Sequence, residues 1–147
     1  MGLSISHNAF SAPYSTFNRW RTEIAKRIGM PLDLMEGFYF EKEQNPFTLL
    51  NYAYPKGDEL EMANLRRSLI PLLPLKWDSF KPSPLHDLLY HSDCDGYINY
   101  SSLRKIIPIL ESMIKDDDKE SGFYQTTDQF INGAKDAVNH KQRLEFR

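Results

Sequence analysis

The stretch from Leu85 to Leu103, LHDLLYHSDCDGYINYSSL, gathers residues that could do chemistry. Two histidines (His86, His91), three aspartates (Asp87, Asp93, Asp95) and the only cysteine (Cys94) surround Gly96, between two apolar runs. The spacing resembles the loop of a helix–loop–helix calcium site. With Gly96 at the sixth position, where a sharp turn needs positive φ, His91 falls at position one. Asp93 is then at three, Asp95 at five, Ile98 at eight, Asn99 at nine and Ser102 at twelve. Calcium takes six to eight oxygens and relies on a bidentate Glu at the last position. A histidine at the first position and a serine at the last leave two carboxylates, enough for an affinity of about millimolar or weaker. Imidazole and carboxylate also suit zinc or manganese, with His86, His91, Asp93 and Cys94 as donors, although the spacing matches no standard zinc motif. Metal candidates are therefore His91, Asp93 and Asp95. The bland alternative is architectural: Asp93 and Asp95 accept loop N–H groups, and Cys94 is buried as a small hydrophobe.

A second group lies in SHNAFSAPYSTFNRWR, Ser6 to Arg21. Ser11 reads as a helix N-cap with Pro13 in the first turn. A helix start offers free N–H groups and the positive end of a dipole to an anion. Ser6, His7, Asn8, Ser11, Tyr14 and Ser15 surround it, Arg19 and Arg21 follow within two turns, and Phe10 and Tyr14 could stack on a planar base. Catalysis is poorly supported. Ser6 or Ser11 could form a triad with His91 and Asp93 on paper, but no G-x-S-x-G surrounds a serine. Flanking aspartates would raise the Cys94 thiol pKa and blunt it. P-loop, dinucleotide and H-E-x-x-H motifs are absent from the sequence. The enzymatic alternative is metal-assisted hydrolysis through His7, His91, Asp93 and Asp95.

The elements that must position these groups follow from periodicity and punctuation. Leu3 to Ser6 alternates as a short strand, and His7 to Phe10 is a polar loop. A helix follows the Ser11 cap and stops just before Gly29, with Phe17, Trp20, Ile24 and Ile28 at helical spacing. Met35 to Phe40 is a strand or a loop pinning aromatics, and Asp58 to Ile70 is an amphipathic helix. Leu75 to Pro84 is a connector anchored by Trp77 and Phe80. Leu85 to Tyr90 is a short helix; Ser101 to Lys115 is a longer one, with a kink or break expected at Pro108. Thr127 caps a helix from about Asp128 to His140, with Phe130, Ile131, Ala134 and Val138 inward. Leu144 to Phe146 closes as a strand on Leu3 to Ser6. The expected fold is α+β and mainly helical, with four to five helices and a small sheet pairing the N- and C-terminal strands.

The chain has 147 residues, of which 41% are hydrophobic and 13% aromatic, which fits one domain, 1–147, with a real core. A net charge of −2 gives no global attraction to DNA, RNA or an anionic membrane. The lone cysteine and the missing secretory signal favour a reducing cytoplasm. No apolar run approaches the ~20 residues of a membrane helix.

Together, Ser6-His7, Ser11, Tyr14-Ser15-Thr16-Phe17, Trp20-Arg21, Gly37-Phe38-Tyr39, the His91-Ser-Asp-Cys-Asp-Gly96 block, Phe130-Ile131 and Phe146-Arg147 resemble an uncharacterised family of small bacterial and phage proteins. The resemblance spans nearly the whole chain. Relatives carry acids late in the loop where this chain has Tyr97, Ser101 and Ser102, which weakens the metal reading. It implies a cytosolic setting and a phage or mobile-element origin, and it brings no activity.

The leading expectation is a non-enzymatic binding protein for a small anionic, nucleotide-like ligand. By analogy with small phage accessory proteins, it would sequester a host nucleotide signal and so evade immunity. His7, Asn8, Ser11, Tyr14 and Arg21 are expected to meet His91, Asp93 and Asp95 in one pocket, with no cofactor beyond a weak divalent metal. A homo-oligomer could enclose the ligand between subunits. The alternatives are a protein-interaction module built on a degenerate EF-hand-like loop, and a metal-dependent hydrolase.

Overall fold

The computed structural model describes residues 2–38 and 73–147. The chain divides into two compact units, one of Met1–Arg21 with Ser83–Arg147 and the other of Thr22–Pro82. The fold is α+β and mainly helical, with two small antiparallel sheets. The helix expected over Asp58–Ile70 lies outside the described residues.

The first unit opens with a hairpin of β1 (Gly2–Ile5) and β2 (Phe10–Pro13), registered so that Leu3 faces Ala12 and Ile5 faces Phe10. Alternation puts Leu3, Ile5 and Phe10 in the core. The turn is closed by Ala9 N–H donating to the Ser6 carbonyl at 3.2 Å, with His7 at φ 59° and Asn8 at φ 56°. Two successive positive-φ residues are the signature of a type I′ turn, whose twist matches the strands it joins. Ser11 is therefore paired with Ser4 in the sheet and does not cap the following helix. Local cap chemistry loses to the hairpin because the hairpin buries three apolar side chains.

α1 (Tyr14–Arg27) follows directly. Phe17, Trp20 and Ile24 are buried as their spacing predicts, whereas Ile28, one residue past the helix, is 38% exposed. Gly29 at φ 74° ends the helix: its N–H donates to the Lys26 carbonyl and that of Met30 to the Ala25 carbonyl. This is the Schellman arrangement, with glycine at the left-handed position.

α2 (His86–Leu89), β3 (Tyr97–Ile98) and α3 (Tyr100–Ile114) reproduce a helix–loop–helix unit. α3 runs through Pro108 without a break. The carbonyl deprived of its partner belongs to Arg104, and both residues face water, where solvent can replace the lost bond. α4 (Gly122–Asn139) begins nearly two turns earlier than expected, because Ser121 accepts from the Tyr124 N–H at 3.1 Å. Thr127 is not its cap: it is buried and accepts from Trp20 Nε1 at 2.8 Å. That bond satisfies two buried polar groups that would otherwise cost ~1–3 kcal/mol.

β4 (Leu144–Glu145) pairs with β3, Tyr97 opposite Glu145 and Ile98 opposite Leu144. The expected closure of the termini is also present: Ser4 and Arg147 exchange backbone hydrogen bonds at 2.9 and 2.8 Å, and Ile5 bridges Phe146. Phe10, Phe17, Trp20, Phe130 and Phe146 form one aromatic cluster with ring centroids 5.0–6.1 Å apart. Helix α4 meets the hairpin without side-chain spacing, since a Cβ on Gly133 would lie 2.5 Å from that of Ala9. Glycine inside a helix costs ~1 kcal/mol relative to alanine, and this approach is its structural return.

In the second unit, Met35 and Leu75 form a parallel bridge, and Trp77 donates Nε1–H to the Glu36 carbonyl at 3.0 Å while its ring meets Phe38 edge-on. Among the described residues no helix is long and apolar enough to cross a membrane.

Candidate ligand-binding site

The His91–Ser102 loop keeps the turn its template requires. Gly96 sits at φ 92°, and a Cβ there would come within 3.2 Å of the His91 ring. The loop is held by its own chain. His91 Nδ1 lies 2.8 Å from the Ser92 carbonyl and Nε2 lies 3.0 Å from that of Tyr97. Both ring nitrogens thus face carbonyls, where a metal ion would have to sit. The same ring stacks on Phe146 at 3.9 Å. Ser92 Oγ accepts from the Cys94 N–H at 3.3 Å. Cys94 is exposed, not buried as the architectural reading expected. Among the described residues no group of three or more His, Cys, Asp or Glu side chains could hold a metal ion.

Arg21 links the two regions that sequence reading singled out. Its guanidinium donates to the Leu89 carbonyl at 3.2 Å, to the His91 carbonyl and to Asn18 Oδ1, and it lies over the Phe17 ring at 4.4 Å. Asn18 in turn reaches Asp93 at 3.4 Å. Burial pulls the Arg21 pKa down to about 10, with Asp93 opposing the shift. At 2% exposure the side chain is a strut between α1 and the loop, and its position is closed to a ligand phosphate. Phe10 is likewise core, at 3% exposure, and offers no stacking face.

The accessible chemistry lies around His7. At the tip of the hairpin, His7 Nδ1 meets Asp136 Oδ2 at 2.6 Å. His140 Nδ1 lies 2.8 Å from the Asp136 carbonyl and 3.4 Å from its carboxylate, and the two imidazoles stack at 6.4 Å. The hydrogen bond from His7, then the charge of His140 and His7, holds the Asp136 carboxyl below the usual range. Gln129 Nε2 donates to the Asn8 carbonyl at 3.0 Å and fixes the other side of the tip.

Two open clefts share His7 as a wall. One, of about 570 Å³, is lined by Ser6, His7, Asn99, Tyr100, Lys141, Gln142, Arg143, Glu145 and Arg147. Three cations face one carboxylate in it. Arg147 at 2.8 Å and Arg143 at 3.2 Å clamp Glu145 and hold its pKa down, while Arg143 also covers the Tyr97 ring at 4.1 Å. The other, of about 470 Å³, is lined by His7, Asn8, Lys119, Tyr124, Gln125, Asp128, Gln129, Asn132 and Gly133. A third, of about 330 Å³, lies against Asp87, Tyr90, His91, Tyr97 and Asn99.

Backbone strain converges on the same place. Among the described residues the non-glycine positions with positive φ are His7, Asn8 and Lys141, at 59°, 56° and 53°, and all three line the two clefts around His7. Lys141 ends α4 in the same Schellman arrangement as Gly29 ends α1: its N–H donates to the Val138 carbonyl and that of Gln142 to the Ala137 carbonyl. A lysine where glycine is preferred costs about 1–2 kcal/mol.

Of the residues proposed from sequence, His7 and Asn8 line these clefts and His91 lines the third; Ser11, Tyr14, Arg21, Asp93 and Asp95 line none of the three. The N-terminal group and the loop do converge, through Ser6 and His7 facing Asn99 and Tyr100. Sequence reading missed Asp136, His140, Lys141, Arg143 and Arg147. The available signal was the polar stripe Gln125, Gln129, Asn132, Asp136, His140 at helical spacing. No protein-family model, curated protein or solved structure matches the chain.

Proposed function

We propose that this chain binds a small anionic, nucleotide-like ligand without transforming it. The observation that carries this reading is the cleft where Lys141, held left-handed, joins Arg143 and Arg147 beside His7 and Ser6. Paired cations with fixed guanidinium geometry suit phosphate oxygens. Tyr100, 36% exposed, offers a ring at the cleft wall. The anion-binding set is thus C-terminal, not the α1 start with Arg21. If the resemblance read from the sequence motifs holds, sequestration of a host nucleotide signal would be its use, by analogy.

A second reading, a protein-interaction module, draws on Tyr90 and Tyr97, which are 66% and 49% exposed beside the helix–loop–helix unit.

Native mass spectrometry before and after addition of a cellular nucleotide pool tests the first reading. A mass increment of nucleotide size is expected, and it should vanish in Lys141→Glu/Arg143→Glu. A bare chain under both conditions contradicts it.

A further inference from the structure

The second cleft walled by His7 has a different character from the cationic one. Its floor is a single face of α4, where Gln125, Asp128 and Asn132 recur at helical spacing. Asn132 Nδ2 lies 3.5 Å from Asp128 Oδ2, so their polar ends converge. Tyr124 borders the floor, and the hairpin tip closes it with His7 and Asn8. The tip cannot drift, because Asp136 and Gln129 hold it from below and Ala9 rests on Gly133.

Carboxamides present a donor and an acceptor side by side, and the edge of a nucleobase does the same. Asn and Gln pair with such edges in a bidentate way, and a carboxylate accepts from an exocyclic amine. Phosphate could use the amide N–H donors and Lys119 of this cleft, but it leaves the amide oxygens and Asp128 without a donor, whereas a base edge serves both halves of the set. We infer that the amide cleft is a base-reading subsite, so that the ligand is a nucleotide lying across His7, its base on Gln125, Asp128 and Asn132 and its phosphate among Lys141, Arg143 and Arg147. This inference rests on the anionic-ligand reading above. Recognition is then split between two clefts, one mainly cationic and one mainly of amides, with the left-handed His7 as their shared wall. A nucleoside would then engage one cleft, inorganic phosphate the other, and a nucleotide both.

Calorimetric titration of the full chain with inorganic phosphate and with each of the four ribonucleoside 5′-monophosphates separates the two ideas. At least one monophosphate should bind about tenfold or more tighter than phosphate, the span of one good bidentate base contact. Gln125→Ala/Asn132→Ala, both on the exposed face of α4, should erase that preference and leave the phosphate affinity and the melting temperature unchanged. Equal binding of phosphate and all four monophosphates, or a preference that survives the double substitution, overturns the base subsite alone. Failure of phosphate and monophosphates alike to bind overturns the anionic cleft as well.

Discussion

His7 and Asp136, 129 residues apart, meet through an Nδ1···Oδ2 contact of 2.6 Å that fixes the hairpin tip on the last turns of α4. An imidazole at positive φ, held by a carboxylate that also serves His140, is an expensive way to end a hairpin. Asparagine followed by glycine would form this turn with less strain. Strained residues persist where their surroundings over-determine them, and they concentrate at ligand sites.

The contact fixes a pH dependence. The Asp136 carboxyl is depressed in the folded chain, chiefly by the hydrogen bond from His7. Its contribution to stability is therefore present above the unfolded aspartate value of about 3.9 and is lost as pH falls through the lower folded value. Carboxyl carbon NMR should show Asp136 titrating below the ordinary range. In His7→Ala its midpoint should move up towards that range; an unmoved midpoint would mean that the contact is absent in solution.

Lys141→Gly should separate stability from binding. Glycine removes the left-handed penalty, so chemical denaturation should show a gain of about 1 kcal/mol. Loss of the cation should weaken nucleotide binding at the same time. A variant that gains stability and keeps full affinity would remove Lys141 from the site.

Gly133→Ala should have the opposite sign from ordinary helix propensity. Alanine is favoured over glycine by ~1 kcal/mol in an exposed helix. At this position the new Cβ would sit 2.5 Å from Ala9 Cβ and 2.6 Å from Ala9 Cα, so the hairpin must lift. A net destabilisation of ~1–3 kcal/mol by denaturant melting is expected, together with weaker ligand binding.

Arg21→Ala tests the strut. With the guanidinium gone, the carbonyls of Leu89 and His91 lose a donor in a region only 2% exposed at Arg21. A loss of ~3 kcal/mol is expected, and Arg21→Lys should restore only part of it, because an ammonium cannot fork to three acceptors. A melting curve unchanged by either substitution would show that Arg21 carries no structural load.

The fold was legible where one local rule decided the outcome. Gly29 and Gly96 announced left-handed positions, Leu3 to Ser6 and Leu144 to Phe146 announced strands, and the helix–loop–helix spacing around Gly96 is as the sequence implied. Ser11 and Thr127 misled because both look like caps while their fates depend on partners far along the chain: Ser4 for one, Trp20 for the other. Arg21 misled for the same reason, since nothing local says that α2 ends above it. The candidate site was only half legible. His7 and Asn8 drew notice by type, but the cations that complete the cleft, Lys141, Arg143 and Arg147, lie far along the chain. Lys141 occupies a position whose usual mark, glycine, is missing.

Amide NMR spectra of the full chain titrated with ribonucleoside 5′-monophosphates test the cationic cleft beside His7. Shifts that saturate and cluster at Ser6, His7, Tyr100 and Lys141 through Arg147 are expected. Shifts centred on Asp93 and Asp95, or none up to millimolar ligand, would contradict it.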